Sequence, residues 1–405
     1  MKERGNYWLR FLDRYLGILF LCLLFPLKQV KKWKGKKVKN VLVIKIGSIG
    51  DTLLLIPILE AIKHSNNGVL LTVIGSKNNY EVLNRYSFID SLKTFEVSNV
   101  IKKPPYLFKF IRDINTREYD VVIDFEPWPR ISSILSFFIK SDYKIGFKTK
   151  GQLRHLLFDN AIPHSSMCHE TDNYVSLVST VGIMVHNRMI EFPVSTYDRE
   201  FVEDILKEEG LSGKSLILFN PWSSGYRGYL KEWGINNFIR LAKHLISEGF
   251  NIGITGTMDS ESQAMDMVNA CGKNVVSFCG KLSIGQTAFL IKKSRILITV
   301  NTGIMHLGAA LCHPMIALHG PAGVLRWGPV SSSNTYNIES DFDCAPCLNL
   351  GFEYKCRNGG CMDGISIEKV IQKINDVFKN INKEREDINW GSHTYCEPVV
   401  NISKE

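Results

Sequence analysis

Two series of short, nearly continuous apolar runs set the first limit on what this chain can fold into. In the first half they are "VLVIKIG" (41–47), "LLTVIGS" (70–76) and "YDVVIDFE" (119–126). In the second half they are "SLILFN" (215–220), "NIGITG" (251–256), "NVVSF" (274–278), "RILITV" (295–300) and "PMIALHG" (314–320), followed by loops of glycine, asparagine or serine. Runs without polar alternation are expected where both faces of a strand are buried, as in a parallel sheet covered by helices. Between them, "INNFIRLAKHLISEG" (235–249) repeats Phe238, Leu241, Ala242 and Leu245 at helical spacing. At 405 residues the chain exceeds one ordinary core. The expected architecture is α/β, with two similar open-sheet domains facing a central cleft and a linking region around 180–213. The boundaries expected are 1–39 for a leading apolar and basic segment, 40–200 and 201–385 for the domains, and 386–405 for a tail. Ligands of such sheets sit beyond the carboxyl ends of the strands, so the loops that follow strands are where chemistry is expected.

The formal charge of +9 predicts an anionic partner, and its densest source is "KQVKKWKGKKVK" from Lys28 to Lys39. No aromatic-interleaved basic surface or nucleic-acid motif accompanies it, so nucleic acid is not the expected partner. Directly before it, "YLGILFLCLLFPL" (15–27) is shorter than the ~20 residues of a membrane-spanning helix. Arg10, Asp13 and Arg14 stop it upstream, positive charge flanks both sides, and no small-residue cleavage site follows. The expectation is an in-plane or shallow anchor, with its lysines on an anionic membrane surface. The alternatives are a helix packed on the protein's own body and a single spanning helix. Ten cysteines without a secretory signal point to a reducing compartment, where thiols stay free or bind metal.

Three loops carry the candidate chemistry. In "IKIGSIGDTLLLIPIL", Gly47, Ser48 and Gly50 let the backbone turn sharply and approach a ligand, and Asp51 stands where a helix begins. Neither G-x-G-x-x-G nor a Walker loop is present, so both common nucleotide motifs are excluded here. Asp51 fits a helix cap or a base placed against a hydroxyl, and the two roles can coexist. Pro57 is expected to kink or delay that helix. In "NPWSSGYRGYLKEW" (220–233), Ser223, Ser224, Arg227 and Lys231 form a cradle suited to phosphate oxygens. In "VNTGIMHLGAALCHP" (300–314), Asn301, Thr302 and Gly303 lie at a helix start that attracts an anion, with His306 on the first turn. A diphosphate on the second domain and a carboxylate on the first suit group transfer from a nucleotide donor.

Taken together, "IKIGSIGDTLLLIPIL", "IDFEPWPRIS", "HETDNYVSLVSTVG", "NPWSS" with "LKEW", "TGIMHLGAALCHPMIALHGP" with "RWGP", and the final cysteines resemble the heptosyltransferases of glycosyltransferase family 9. The resemblance runs from about residue 40 to 380. It implies a GT-B fold of two Rossmann-like domains, to which an N-terminal hydrophobic helix is added. It also implies inverting transfer without a catalytic metal, from a nucleotide sugar, most simply ADP-heptose, to a lipid-linked glycan at the cytoplasmic face of the inner membrane. By resemblance Asp51 is the general base and Lys231 offsets charge on the diphosphate. Thr302, Gly303 and His306 match the donor loop, and Glu261 sits where an acidic residue holds the ribose. The family's aspartate before Thr-Gly is Asn301 here, which keeps hydrogen-bonding reach and loses charge.

Cys344, Cys347, Cys356 and Cys361 are spaced C-x2-C-x8-C-x4-C, which suits a structural four-thiolate zinc or iron site. No cofactor is expected for catalysis. Two other readings fit the same residues: a related transferase using another sugar, an outer glycan or a protein acceptor, and a non-catalytic nucleotide-sugar-binding membrane scaffold.

Overall fold

The computed structural model describes residues 7–387 apart from 104, 226, 331–333, 349–355 and 357–359, and of Tyr7 and 381–387 only the backbone. The expected tail 386–405 therefore lies almost wholly outside the described residues. The chain divides into two compact units, Met1–Arg188 and Met189–Glu405. The division falls inside the expected linking region. It assigns the helix Thr196–Glu208 to the second unit, where Lys293 Nζ lies 2.7 Å from Glu203.

The first unit holds β1 (Asn40–Ile44), β2 (Leu70–Gly75), β3 (Ser91–Thr94), β4 (Tyr119–Asp124), β5 (Ser141–Lys148) and β6 (Asn160–Pro163). They form one sheet in the order β3-β2-β1-β4-β5-β6, with every pairing parallel. The second unit holds β7 (Leu216–Asn220), β8 (Asn251–Ile254), β9 (Val275–Ser277), β10 (Ile296–Val300), β11 (Met315–His319) and β12 (Thr335–Glu339). Their order is β12-β11-β10-β7-β8-β9, again all parallel. Counted from its own first strand, each sheet has the same order, and the winding reverses between β1 and β4 and between β7 and β10. Those two points are where such sheets open a crevice for ligands.

All but one of the apolar runs become inner strands, with β1, β7, β10 and β11 buried almost throughout, while 274–278 becomes the edge strand β9. Phe238, Leu241, Ala242 and Leu245 are the buried residues of the helix Ile235–Ser247. Four strands, β3, β5, β6 and β12, are additional to the sequence reading. β3, β6 and β12 are edge strands, which have one flank unpaired and need no continuous apolar run. β5 carries Lys144 in its interior; Nζ donates to Phe137 O at 2.6 Å, and burial, then the neighbouring Lys28, pushes its pKa down to about 7.

The helix Ile49–His64 contains Pro57 and begins eight residues before it, so its start is not delayed. Every residue from Thr52 to Leu59 is buried. Packing on that scale outweighs the roughly 3 kcal/mol that an internal proline costs.

The leading segment belongs to the first unit. It forms a helix, Tyr7–Leu24, with a 3-10 turn at Phe25–Leu27. No helix among the described residues is long and apolar enough to cross a membrane. One side packs on the helix Arg130–Phe138, where Leu21 joins Ile134 and Leu157. A Cβ on Gly17 would come within 2.9 Å of Arg130 Cδ, so the two helices meet this closely only over a glycine. The Asp13 carboxylate accepts from the backbone N–H groups of Arg130 at 2.8 Å and Ile131 at 3.0 Å. It thereby caps a helix whose own leading residue, Pro129, supplies no side-chain cap. After the helix the basic run straps the sheet: Lys28 pairs with Asp159, Lys31 Nζ donates to Ser141 O at 2.6 Å, and Lys36 Nζ lies 2.5 Å from both Asp120 and Asp142.

Candidate functional site

In the first unit, β1 runs on through Lys45 and Gly47 into the helix Ile49–His64. Ser48 occupies the cap position, with extended backbone and no side-chain cap bond. Asp51 is thus the third helical residue and not the cap, although its charge still suits the positive end of the helix dipole. Its Oδ2 lies 3.7 Å from Lys45 Nζ, and Glu126 Oε1, from the loop after β4, lies 3.8 Å from the same nitrogen. Lys45 is fully buried; its ammonium donates to the Tyr174 hydroxyl at 3.1 Å and to Phe125 O at 3.4 Å. Tyr174 comes from the helix Glu170–Ser179, which opens with a His169–Asp172 capping box. Asn79 Nδ2 donates to Lys45 O at 2.8 Å and to Thr52 Oγ1 at 3.0 Å, which fixes the turn. A Cβ on Gly47 would sit 2.9 Å from Glu126 Oε1, so only glycine lets the loop pass over that carboxylate; Gly50 is buried behind it. Glu126 Oε1 is buried with no hydrogen-bond partner among the described residues.

Beneath this cluster Asp124 and Arg154 form an ion pair at 2.6 Å, with neither side chain exposed, and Ser132 Oγ donates to Asp124 at 2.8 Å. Burial raises the Asp124 pKa despite the attraction of Arg154. The sequence reading assigned no role to Lys45, Glu126, Tyr174 or Arg154. The available signals were a lysine interrupting an apolar strand and an Asp-x-Glu closing one.

In the second unit the loops after β7 and β10 are joined through Asn220. Its Nδ2 donates to Thr255 O at 3.1 Å, while its Oδ1 accepts from Thr302 Oγ1 at 3.1 Å and Thr299 Oγ1 at 3.3 Å. Thr302 also caps the helix Gly303–Ala310 by accepting from Ile304 N at 3.2 Å. His306 is buried on that helix's first turn.

The amide of Asn301 donates to His319 Nδ1 at 3.2 Å and to Trp327 O at 3.1 Å. Because that nitrogen only donates, the His319 proton lies on Nε2, facing Asn337 Oδ1 at 2.9 Å. Burial holds the ring pKa below its usual value. Position 301 thus faces two acceptors, which suits an amide and opposes a carboxylate.

On the loop after β7, the Ser223 N–H donates to Glu232 at 3.1 Å, and Ser223 Oγ is buried with no partner among the described residues. A Cβ on Gly228 would fall 2.1 Å from Ser223 O, so this loop closes only over a glycine. Ser224 is exposed, and Lys231 ends the 3-10 turn Gly228–Lys231. Burial raises the Glu232 pKa, which Lys231 and the Ser223 N–H counter. Glu261 opens the helix Glu261–Cys271 and accepts from Ser277 Oγ at 3.1 Å, at the end of β9. The predicted residues of this unit thus lie along one edge of its sheet. Thr302 and the Ser223 loop meet at the switch point, and Glu261 stands further along.

The cysteines of the motif lie near one another, with Cys347, Cys344 and Cys356 around Cys361. Among the described residues no group of three or more His, Cys, Asp or Glu side chains is placed to hold a metal ion. Cys344 and Cys356 are exposed, and Cys347 and Cys361 are partly buried. Burial, then the nearby Cys347, Cys344 and Cys356, pushes the Cys361 thiol up to about 11. Cys312 is disulfide-bonded.

The model of glycosyltransferase family 9 (heptosyltransferase) matches residues 107–358. Lipopolysaccharide heptosyltransferase 2 of Salmonella typhimurium is 25% identical over 202 residues, covering 47% of this chain and 57% of that protein. Lipopolysaccharide core heptosyltransferase OpsX of Haemophilus influenzae is 21% identical over 345 residues, covering 82% and 95%. The solved structure of E. coli ADP-heptose lps heptosyltransferase II superposes with a TM-score of 0.68 at 18% identity, over 85% of this chain and 99% of that one. The chain thus spans little more than half of the first of these relatives and nearly all of the second.

Proposed function

The chain belongs to glycosyltransferase family 9 (heptosyltransferase), and from that membership we propose that it transfers a heptose from ADP-heptose to a lipid-linked glycan such as the lipopolysaccharide core. The observation that carries the proposal is Asp51, which is not spent as a helix cap and stands in the first helical turn 3.7 Å from the buried Lys45 ammonium. Asp51 accepts the proton of an acceptor hydroxyl as its oxygen forms the new bond to the anomeric carbon. The bond from that carbon to the diphosphate breaks, with inversion, and ADP leaves with the electron pair. Lys231 offsets the charge developing on the diphosphate, so no metal ion is needed for the step. Ser223, Ser224, Thr302 and Gly303 take the phosphate oxygens, and Glu261 takes the ribose. The buried Ser223 hydroxyl supports this reading, because a donor without a protein partner is suited to an anionic ligand.

Asp51→Asn tests the assignment. Transfer should fall by about 10²- to 10⁴-fold, while calorimetry with ADP-heptose gives an unchanged affinity. Turnover retained at the parent rate would refute the base. Lost donor binding would instead point to misfolding.

A further inference from the structure

We propose that the exposed face of the helix Tyr7–Leu24 seats the first unit on an anionic bilayer, with the helix lying in the plane of the membrane. Trp8, Phe11, Tyr15, Leu19 and Leu23 are 68%, 41%, 56%, 52% and 60% exposed. They recur every three or four residues and so share one side of the helix, opposite the buried Gly17 and Leu21. An apolar stripe of this length facing water marks a contact surface. Its first end is aromatic, with ring centroids 6.2 Å apart for Trp8–Phe11 and 4.6 Å for Phe11–Tyr15. Amphipathic rings of this kind favour the headgroup boundary.

Charge identifies the occupant. Lys28, Lys31 and Lys36 are used to strap the sheet, whereas Lys32, Lys34, Lys37 and Lys39 are exposed with no ion pair among the described residues. A cationic run joined to an apolar helix face matches acyl chains beneath anionic headgroups, and a second copy of this chain would bring lysine against lysine. The one carboxylate of the helix, Asp13, is turned away to cap Arg130 and Ile131. That cap and the packing of Leu21 also hold the helix flat, because crossing the bilayer would break both.

The orientation follows from the same contacts. Asp13 meets the first residues of the helix Arg130–Phe138, and Leu21, two turns later, joins Ile134 further along it, so the two helices run in the same direction. Arg130 follows the β4 loop that carries Glu126. The Trp8 end therefore points to the sheet edge that holds Asp51, and the lysine end to the edge where β4 and β5 begin. If the proposed transferase reading holds, a lipid-linked acceptor in the same bilayer reaches that unit at its reactive edge.

The test is vesicle flotation of the full chain, without donor or acceptor, so its outcome is independent of activity. Vesicles of phosphatidylglycerol and phosphatidylethanolamine should bind it, phosphatidylcholine alone far less, and salt should weaken binding. The exposed-site double variant Leu19→Glu/Leu23→Glu should lose about tenfold or more in partition, and Lys32→Glu/Lys34→Glu/Lys37→Glu a smaller factor that high salt erases. Far-UV circular dichroism checks that both remain folded. Trp8 fluorescence, isolated by difference from W8F, should be quenched by bromines shallow in the acyl chain. Undiminished binding of the leucine variant, or stronger quenching by deep bromines, would overturn the proposal. So would self-association that the leucine variant abolishes in a chain that ignores vesicles.

Discussion

The two units wind their sheets in the same order and put opposite chemistry at the switch point. In the first, a fully buried ammonium stands between two carboxylates, with a second buried ion pair beneath it. In the second, the same place is held by neutral amides and hydroxyls around Asn220, and the nearby His319 is held below its usual pKa by burial. One topology therefore supports a charged interior in one unit and a neutral scaffold in the other. Fold alone does not decide function; the residues at the strand ends do.

Four changes would break or sharpen that contrast. The largest effect on stability is expected from Arg154→Leu, which leaves the buried Asp124 without its cationic partner. Unfolding in urea should show a loss of about 3–5 kcal/mol. Lys231→Ala should leave stability near the parent value and lower kcat by about 10²- to 10³-fold, read from initial rates with saturating ADP-heptose. Asn301→Asp directs a carboxylate at His319 Nδ1 and Trp327 O. It should cost about 1–3 kcal/mol near neutral pH, and less as acid protonates His319 in the variant.

The smallest effect concerns His313, whose pKa burial, then Lys292, lowers to about 3. The unfolded ring titrates near 6.5, so below that value the unfolded state takes up a proton that the fold refuses, and stability is lost as pH falls. Between about pH 7.5 and 6 the loss should be under about 1 kcal/mol, and His313→Asn should flatten it in a melting series. A raised pKa works in the other direction: Asp124 and Asp13 favour the folded first unit as pH falls.

The sequence made the inner strands legible because burial on both faces leaves a continuous apolar signature, as in "VLVI" and "LILF". It concealed β5, whose Lys144 is buried and solvated by the Phe137 carbonyl, and the edge strands, which need no such signature. The loops Gly47–Asp51 and Ser223–Lys231 were visible as glycine and polar breaks after strands. Lys45 was not, because a lysine in an apolar run reads as an interruption until Asp51 and Glu126 are brought to it from separate segments. Asn301 read as a departure from the family pattern, and its reason lay in His319, eighteen residues away. The thiol spacing was legible as a cluster, and Cys347, Cys344 and Cys356 do lie near Cys361.

Asp13 makes the leading helix more than a handle. A protein trimmed to begin at the first strand would lose the carboxylate that closes the amide end of Arg130 and Ile131, one loop away from Glu126. Frayed there, the β4 loop would loosen its hold on the carboxylate beside Lys45. Activity lost on trimming would then record a disordered reaction site as much as a missing attachment, and restoring the chain to a surface by an artificial tether would not bring it back.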